Sequence, residues 1–167
     1  VPASALTQSG SAMVAAPTFD VTVAAGSVAL SGTVTDDSET DIRTGGSAIL
    51  LTLTDDTWVA AGAAFDAERQ NIINGLVSAQ AEAAGWNAVV QAGLAVTDVV
   101  RTSSTVVTVT LPAFAGYDIT ATETITATVP ASALVQSGSA LVATPTFDVT
   151  VAGASVALSG TVTDDSE

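Results

Sequence analysis

Residues 27–54 read SVALSGTVTDDSETDIRTGGSAILLTLT, and two runs inside this stretch alternate with a period of two. In Ser27–Thr35 the inward set is Val28, Leu30 and Val34; in Ser47–Thr54 it is Ile49, Leu51 and Leu53, with Thr52 and Thr54 facing out. Successive side chains of a strand point to opposite faces, so each run reads as a strand with one buried face. Thr44-Gly45-Gly46 supplies a turn before the second run. The pattern recurs along the chain. Thr105–Leu111 carries Val107, Val109 and Leu111 inward, and Phe147, Val149 and Val151 repeat Phe19, Val21 and Val23. Thr120–Val129 sets Ala121, Ile125, Ala127 and Val129 against outward threonines; Glu123 interrupts the inward set and is therefore expected near a strand end. The Thr and Val content suits a pleated surface, because β-branched side chains pack well there.

One segment has a different period. Ile72, Leu76, Ala79, Ala83 and Trp86 are spaced by four, three, four and three residues. This spacing predicts an amphipathic helix over about 67–84, with Asp66 as N-cap, Glu68 at its positive end and Gly85 as its stop. Further strands are expected near 87–91 and 96–102. Seven or so short strands and one inserted helix predict a mainly β fold, an antiparallel β-sandwich of immunoglobulin-like type. Trp58 or Trp86 is expected to fill its core.

The chain repeats itself. Residues 129–167 match residues 1–39 without a gap at 34 of 39 positions, an offset of 128 residues. The differences are Thr7/Val135, Met13/Leu141, Ala16/Thr144, Ala25/Gly153 and Gly26/Ala154. Self-similarity at a fixed period is the signature of a repeat architecture. The expected division is a terminal strand segment of a preceding repeat over 1–24, a complete repeat over 27–152, and the first strand of a following repeat over 155–167. Two readings of the overlap stand side by side: a window onto a longer tandem array, or a subunit that exchanges terminal strands with its neighbours.

Composition removes several classes of function. With 17 Asp and Glu against 3 Lys and Arg, the formal net charge is −14, and there is no His or Cys. The three basic residues are Arg43, Arg69 and Arg101, so Lys is absent as well. Ser-His-Asp and Cys-His catalysis, Schiff-base chemistry and a Walker A loop are thereby excluded, as are disulfides and Lys–Asn isopeptide links. A strongly acidic chain is not expected to bind nucleic acid or an anionic membrane. No apolar run is long enough to span a bilayer, so membrane insertion is not expected.

The segments SAILLTLTDDTWVAAGAAFDAERQNIINGL (47–76), VVRTSSTVVTVTLPAF (99–114) and YDITATETITATVPASAL (117–134) resemble the tandem Ig-like repeats of long bacterial, archaeal or phage-associated surface and fibre proteins. The likeness covers nearly the whole repeat and carries no catalytic residue. It implies a structural or adhesive role outside the cell.

The densest acidic cluster is Asp36-Asp37-Ser38-Glu39-Thr40-Asp41, and Asp55-Asp56 follow the next strand. Ca²⁺ takes six to eight oxygen ligands. Asp36, Asp37, Glu39, Asp41, Asp55 and Asp56 are therefore the candidate ligands of an interdomain calcium site, no cofactor being required otherwise. An antiparallel pair puts the two loops at opposite poles, which face each other only between neighbours. The competing reading is turn-forming, solvating Asp residues. Asp55/Asp56 and Asp118/Glu123 are nominal carboxylate pairs for glycoside hydrolysis, but nothing in the sequence marks a cleft, and no enzyme is expected. The functional expectation is a structural protein of the cell surface or extracellular space, held by strand pairing to copies of itself or to adjacent repeats. The alternatives are an adhesin module recognising a glycan or host receptor, and a phage tail or decoration protein.

Overall fold

A computed structural model describes residues 28–135 and 144–151. The outer repeated segments expected over 1–24 and 155–167 lie outside the described residues. The fold is mainly β, with two antiparallel sheets, consistent with a β-sandwich. Strands β1 (Ala29–Thr35), β2 (Ala48–Thr54), β4 (Val99–Arg101) and β5 (Val106–Thr110) form one sheet in the order β1-β2-β5-β4. Strands β3 (Leu76–Ser78), β6 (Glu123–Ala127) and β7 (Thr146–Val149) form the other in the order β3-β6-β7.

Most of the period-two positions face inward, but Val151 is exposed and Val34 only partly buried. Val28, Ile49, Leu51, Val107, Val109 and Leu111 have no exposed surface, and Leu30 and Leu53 have almost none. They share one core with Leu76, Ile125, Ala127, Phe147 and Val149 of the second sheet. Burying an aliphatic side chain of this size is worth about 1.5–3 kcal/mol, so this shared core is the main source of cohesion. Both Trp58 and Trp86 are fully buried, each with its indole N–H on a carbonyl: Thr105 O and Leu76 O, both at 3.0 Å. Gly45 and Gly46 make the turn into β2 with φ of 83° and 102°, a region where a side chain is strained.

The register fixes two poles. Ala29 pairs with Thr54, and Thr35 pairs with Ala48. The Val28 end of β1 and the Asp55-Asp56 loop thus lie together at what we call the proximal pole. Asp36 and the residues after it lie at the distal pole. A short helix, α1 (Glu39–Thr44), closes the distal corner, with Ser38 as its N-cap accepting from Asp41 N.

The expected helix over 67–84 does not form. Two short helices occur instead, α2 (Ala63–Asp66) and α3 (Arg69–Asn74), and Leu76–Ser78 then belongs to a sheet. Gly75 decides the break. Its N–H caps α3 on Asn71 O and Ile72 O, both at 3.1 Å, while its carbonyl accepts from Thr128 N at 2.9 Å. A sheet partner thus captures the chain where the helix would have continued. Ala79 and Ala83 are exposed, so the apolar stripe fails at its middle. Asp66 ends α2 and pairs with Arg69 at 2.7 Å rather than capping a helix, and Gly85 precedes a helical segment instead of stopping one. That segment, Trp86–Gln91, is a wide π-helical turn where a strand was expected over 87–91. The expected strand over 96–102 is a single turn, Val96–Asp98, followed by β4. Ala121 is exposed, and Glu123 takes the inward position as the first residue of β6.

A Cβ on Gly75 would lie 1.9 Å from Thr128 O, a backbone atom that the β3–β6 pairing holds in place. Gly75→Ala is expected to destabilise the domain by about 2 kcal/mol or more, through overpacking against backbone. Gly116→Ala, where the nearest atom is 4.0 Å away, serves as the control and is expected to stay within about 0.5 kcal/mol. Urea unfolding of the two variants measures the difference.

Candidate functional site

Three features carry chemistry: the acidic corner at the distal pole, the acidic loop at the proximal pole, and a buried carboxylate between the sheets.

At the distal corner most groups are already engaged. Ser38 Oγ donates to the Asp41 carboxylate, and Glu39 is buried and pairs with Arg43 at 3.3 Å. The main chain of the corner holds the last strand: Thr150 N donates to Asp37 O at 2.8 Å, and Glu39 N donates to Thr150 O at 2.8 Å. Asp36 carries a φ of 52°, and its carbonyl accepts from Ser47 Oγ at 2.9 Å. This is the turn-forming role of Asp, whose short polar side chain tolerates the left-handed region.

At the proximal pole Asp55 has a φ of 64°, and buried Asp56 accepts from Thr57 N at 2.7 Å. Trp58 N donates to Ser104 O, and Val59 N and Val135 N form a short bridge with Ala133 O and Thr57 O. The segment 130–135 is thereby docked beside Trp58. The six candidate calcium ligands divide between the poles: Asp36, Asp37, Glu39 and Asp41 at one, Asp55 and Asp56 at the other. Among the described residues, no three acidic side chains converge on a point that could hold a metal ion.

Glu123 is the group that sequence reasoning placed near a strand end without assigning it a role. It is fully buried, at 0% exposure. Its Oε2 accepts from Trp86 N at 2.8 Å and from Tyr117 Oη at 2.9 Å; its Oε1 accepts from Ser78 Oγ at 3.3 Å. One carboxylate therefore joins the first residue of β6, the end of β3, the start of the π-helical turn and the loop before β6. Two amide side chains hold Ser78 beside it. Asn87 exchanges two hydrogen bonds with the main chain of Ser78, and Gln80 receives Ser78 Oγ at 2.9 Å. Glu82 receives both the amide and the hydroxyl of Thr120. The signal was in the sequence: an acid at an inward strand position needs donors, and buried charges are found with them. Nothing in the spacing named Ser78, Trp86 and Tyr117 as those donors. Asp118, the nominal partner of Glu123 for hydrolysis, is exposed, whereas Glu123 is enclosed by hydrogen bonds.

The Tyr117 phenol is pushed far above its ordinary range. Burial is the largest cause, followed by its hydrogen bond to Glu123 and then by the negative charges of Glu123, Glu39 and Glu82.

No family model, curated protein or solved structure matches this chain.

Two predictions follow from this geometry and one from the acidic poles. Glu123→Ala strands two buried donors, Trp86 N and Tyr117 Oη, while Ser78 Oγ keeps Gln80, and is expected to cost about 3 kcal/mol or more; Glu123→Gln keeps an acceptor oxygen and costs less. Equilibrium unfolding of both variants reads the order. Tyr117 holds its proton more tightly folded than unfolded. Its contribution to stability is therefore present below about pH 10, the unfolded value, and is lost as pH rises above it, by up to about 1.4 kcal/mol per pH unit. In Tyr117→Phe that part of the pH dependence flattens, as a denaturation series from pH 8 to 12 would show. Thermal unfolding of the 167-residue chain is expected to be unchanged by a calcium chelator; a midpoint lowered by chelator and restored by Ca²⁺ would reinstate the six acids as ligands.

Proposed function

We propose that this chain is the repeat unit of an extracellular structural array, in which Ig-like β-sandwiches join end to end as a filament, stalk or surface layer. One observation carries the reading. The described domain begins with Val28 at the proximal pole, beside Thr54, and ends with Thr150 bonded to Asp37 and Glu39 at the distal pole. The chain thus passes through the domain from one pole to the other. The 128-residue repeat then puts Val156 in the place of Val28, with only four residues between it and Val151. A linker this short sets the distal pole of one domain against the proximal pole of the next. Repeats of this kind add length without redesign, because each buries its own core.

The surface chemistry agrees with a polymer. A net charge of −14 keeps neighbouring filaments soluble and mutually repelling. The described aromatic residues, Trp58, Phe65, Trp86, Phe114, Tyr117 and Phe147, are all buried, so among the described residues no exposed ring offers a stacking platform for a sugar. This favours the scaffold over the adhesin reading. A phage tail or decoration fibre would use the same unit in the same way.

Joining a second copy of residues 40–167 directly after Glu167 makes a chain with two bodies. Small-angle scattering of it is expected to give a maximum dimension close to twice that of the 167-residue chain. A two-body chain no longer than the single one would mean that the domains fold back on each other, and would sink the array.

A further inference from the structure

Asn74-Gly75 is the only Asn-Gly step in the chain. At such a step the main-chain nitrogen of the glycine can attack the side-chain amide of the asparagine, because glycine has no Cβ to hinder the approach. A bond forms from Gly75 N to Asn74 Cγ, the Cγ–Nδ2 bond breaks, and ammonia leaves with the Gly75 amide proton. Water then opens the five-membered imide. Cleaving the new N–Cγ bond gives aspartate. Cleaving the bond from that nitrogen to the original main-chain carbonyl gives isoaspartate, whose main chain runs through Cβ and Cγ and is one atom longer.

We propose that Asn74 is a modification site of the opened chain alone: the fold withholds it from deamidation, and a domain in which isoaspartate has formed there cannot close again. This holds for a single domain, however domains are arranged.

Water is not what the fold withholds. Asn74 is exposed and borders an open cleft with Asn71, Thr128 and Pro130. Protection comes from the positions of the reacting atoms. Asn74 is the last residue of α3, and a helical Cα–Cβ bond tilts toward the helix N-terminus. The side chain accordingly leans back along α3, where Asn74 Oδ1 accepts from Gln70 Nε2 at 3.0 Å, one turn away from Gly75 N. The attacking nitrogen is engaged as well, donating to Asn71 O and Ile72 O, both at 3.1 Å. Attack further requires the peptide between Asn74 and Gly75 to rotate. Its carbonyl, Asn74 O, accepts from Gln91 Nε2 at 3.2 Å. The Gly75 carbonyl just beyond accepts from Thr128 N at 2.9 Å and from Thr128 Oγ1 at 3.2 Å. Reaching the reactive geometry therefore means unwinding the last turn of α3 and releasing the first bonds beside the β3–β6 pair. Such a local opening costs free energy, and the reaction slows by the fraction of time the segment stays closed.

The same contacts make the change one-way. The extra main-chain atom enters between Asn74 Cα and Gly75 N. Gly75 has no room to take it up, since even a Cβ there would lie 1.9 Å from Thr128 O. The next residue, Leu76, is fully buried and registered on Ala127, so displacing it opens the core. Aspartate keeps the normal main-chain length and an acceptor for Gln70, so the block belongs to the isoaspartate product.

The test incubates the 167-residue chain in mildly alkaline buffer, either folded or unfolded in guanidinium. Peptide mapping by mass spectrometry follows the amide-to-acid change, and an isoaspartyl methyltransferase marks isoaspartate. Asn74 is expected to convert in the unfolded chain and at least about 100-fold more slowly in the folded one. Asn71 and Asn87, followed by Ile72 and Ala88, are expected to stay intact in both. After return to native buffer, molecules with isoaspartate at position 74 are expected to remain unfolded. Asn74→Asp is expected to fold with a midpoint near the parent's, which separates the longer main chain from the new charge. Folded chain that converts at Asn74 as fast as unfolded chain overturns the protection. An isoaspartate-bearing fraction that refolds with the parent's midpoint, or an Asn74→Asp chain that fails to fold, overturns the one-way step.

Discussion

Two main-chain hydrogen bonds at the distal corner, Thr150 N to Asp37 O and Glu39 N to Thr150 O, govern how this domain can be used. They join the end of the last strand to the end of the first. The strand before each bond belongs to a different sheet, β7 on one side and β1 on the other, and Gly32 meets Pro145 between them. The closure therefore ties the two sheets together at their edges and determines where the chain leaves. Had β7 run the other way, the chain would leave beside its starting point, and a tandem repeat would make a compact cluster. Because both strands run toward the distal pole, the described chain enters at the proximal pole and leaves at the distal one.

The second constraint is the charge inside. Glu123 is a buried carboxylate whose three described partners are neutral donors, two hydroxyls and a main-chain amide. Desolvating a carboxylate is costly, and hydrogen bonds to the charged form offset that cost. The arrangement also explains the irregular segment between β3 and β4. The π-helical turn begins where Trp86 N reaches Glu123, and Trp86 then fills the core with its indole N–H on Leu76 O. Gly85 has no room for a side chain there, since a Cβ would lie 2.6 Å from Glu123 Oε1. The carboxylate thus sets the path of a segment that no regular period describes. The three arginines are occupied elsewhere: Arg43 on Glu39, Arg69 on Asp66 and over the Phe65 ring, and Arg101 on Trp58 O.

This division explains what could be read from the sequence. Strands whose inward face is apolar, β1, β2, β5 and β7, announce themselves by alternation, because burial on one face and solvent on the other is the physical origin of the period. The pole-to-pole separation of Asp36 and Asp55 followed from the same hairpin. The region 63–98 was not legible in this way. Ile72, Leu76 and Trp86 are all buried, but for three separate reasons: α3 packing, pairing of Leu76 with Ala127, and the Trp86 contact with Phe147 at 6.0 Å between ring centroids. Their helical spacing is a coincidence of three local solutions. The information that breaks the helix lies some fifty residues away, in Thr128, where a carbonyl at 1.9 Å from a notional Gly75 Cβ admits only glycine. Tertiary contacts of that range override local propensity and leave no trace in a window of neighbouring residues.

The same logic bears on why a protein would repeat its edges so faithfully. A core strand that is copied gains nothing, since it cannot be inserted into a finished sheet. An edge strand pairs on one side only, so its position can be filled without opening the sheet's middle. In β1 the buried contribution is modest, Val28 and Leu30 with Val34 at the margin, while seven registered pairs to β2 supply direction and position. Specificity therefore comes mainly from backbone register, with the side chains selecting the face. Residues 156–167 are identical to 28–39, and two of the five changes, Ala25/Gly153 and Gly26/Ala154, fall just before that stretch.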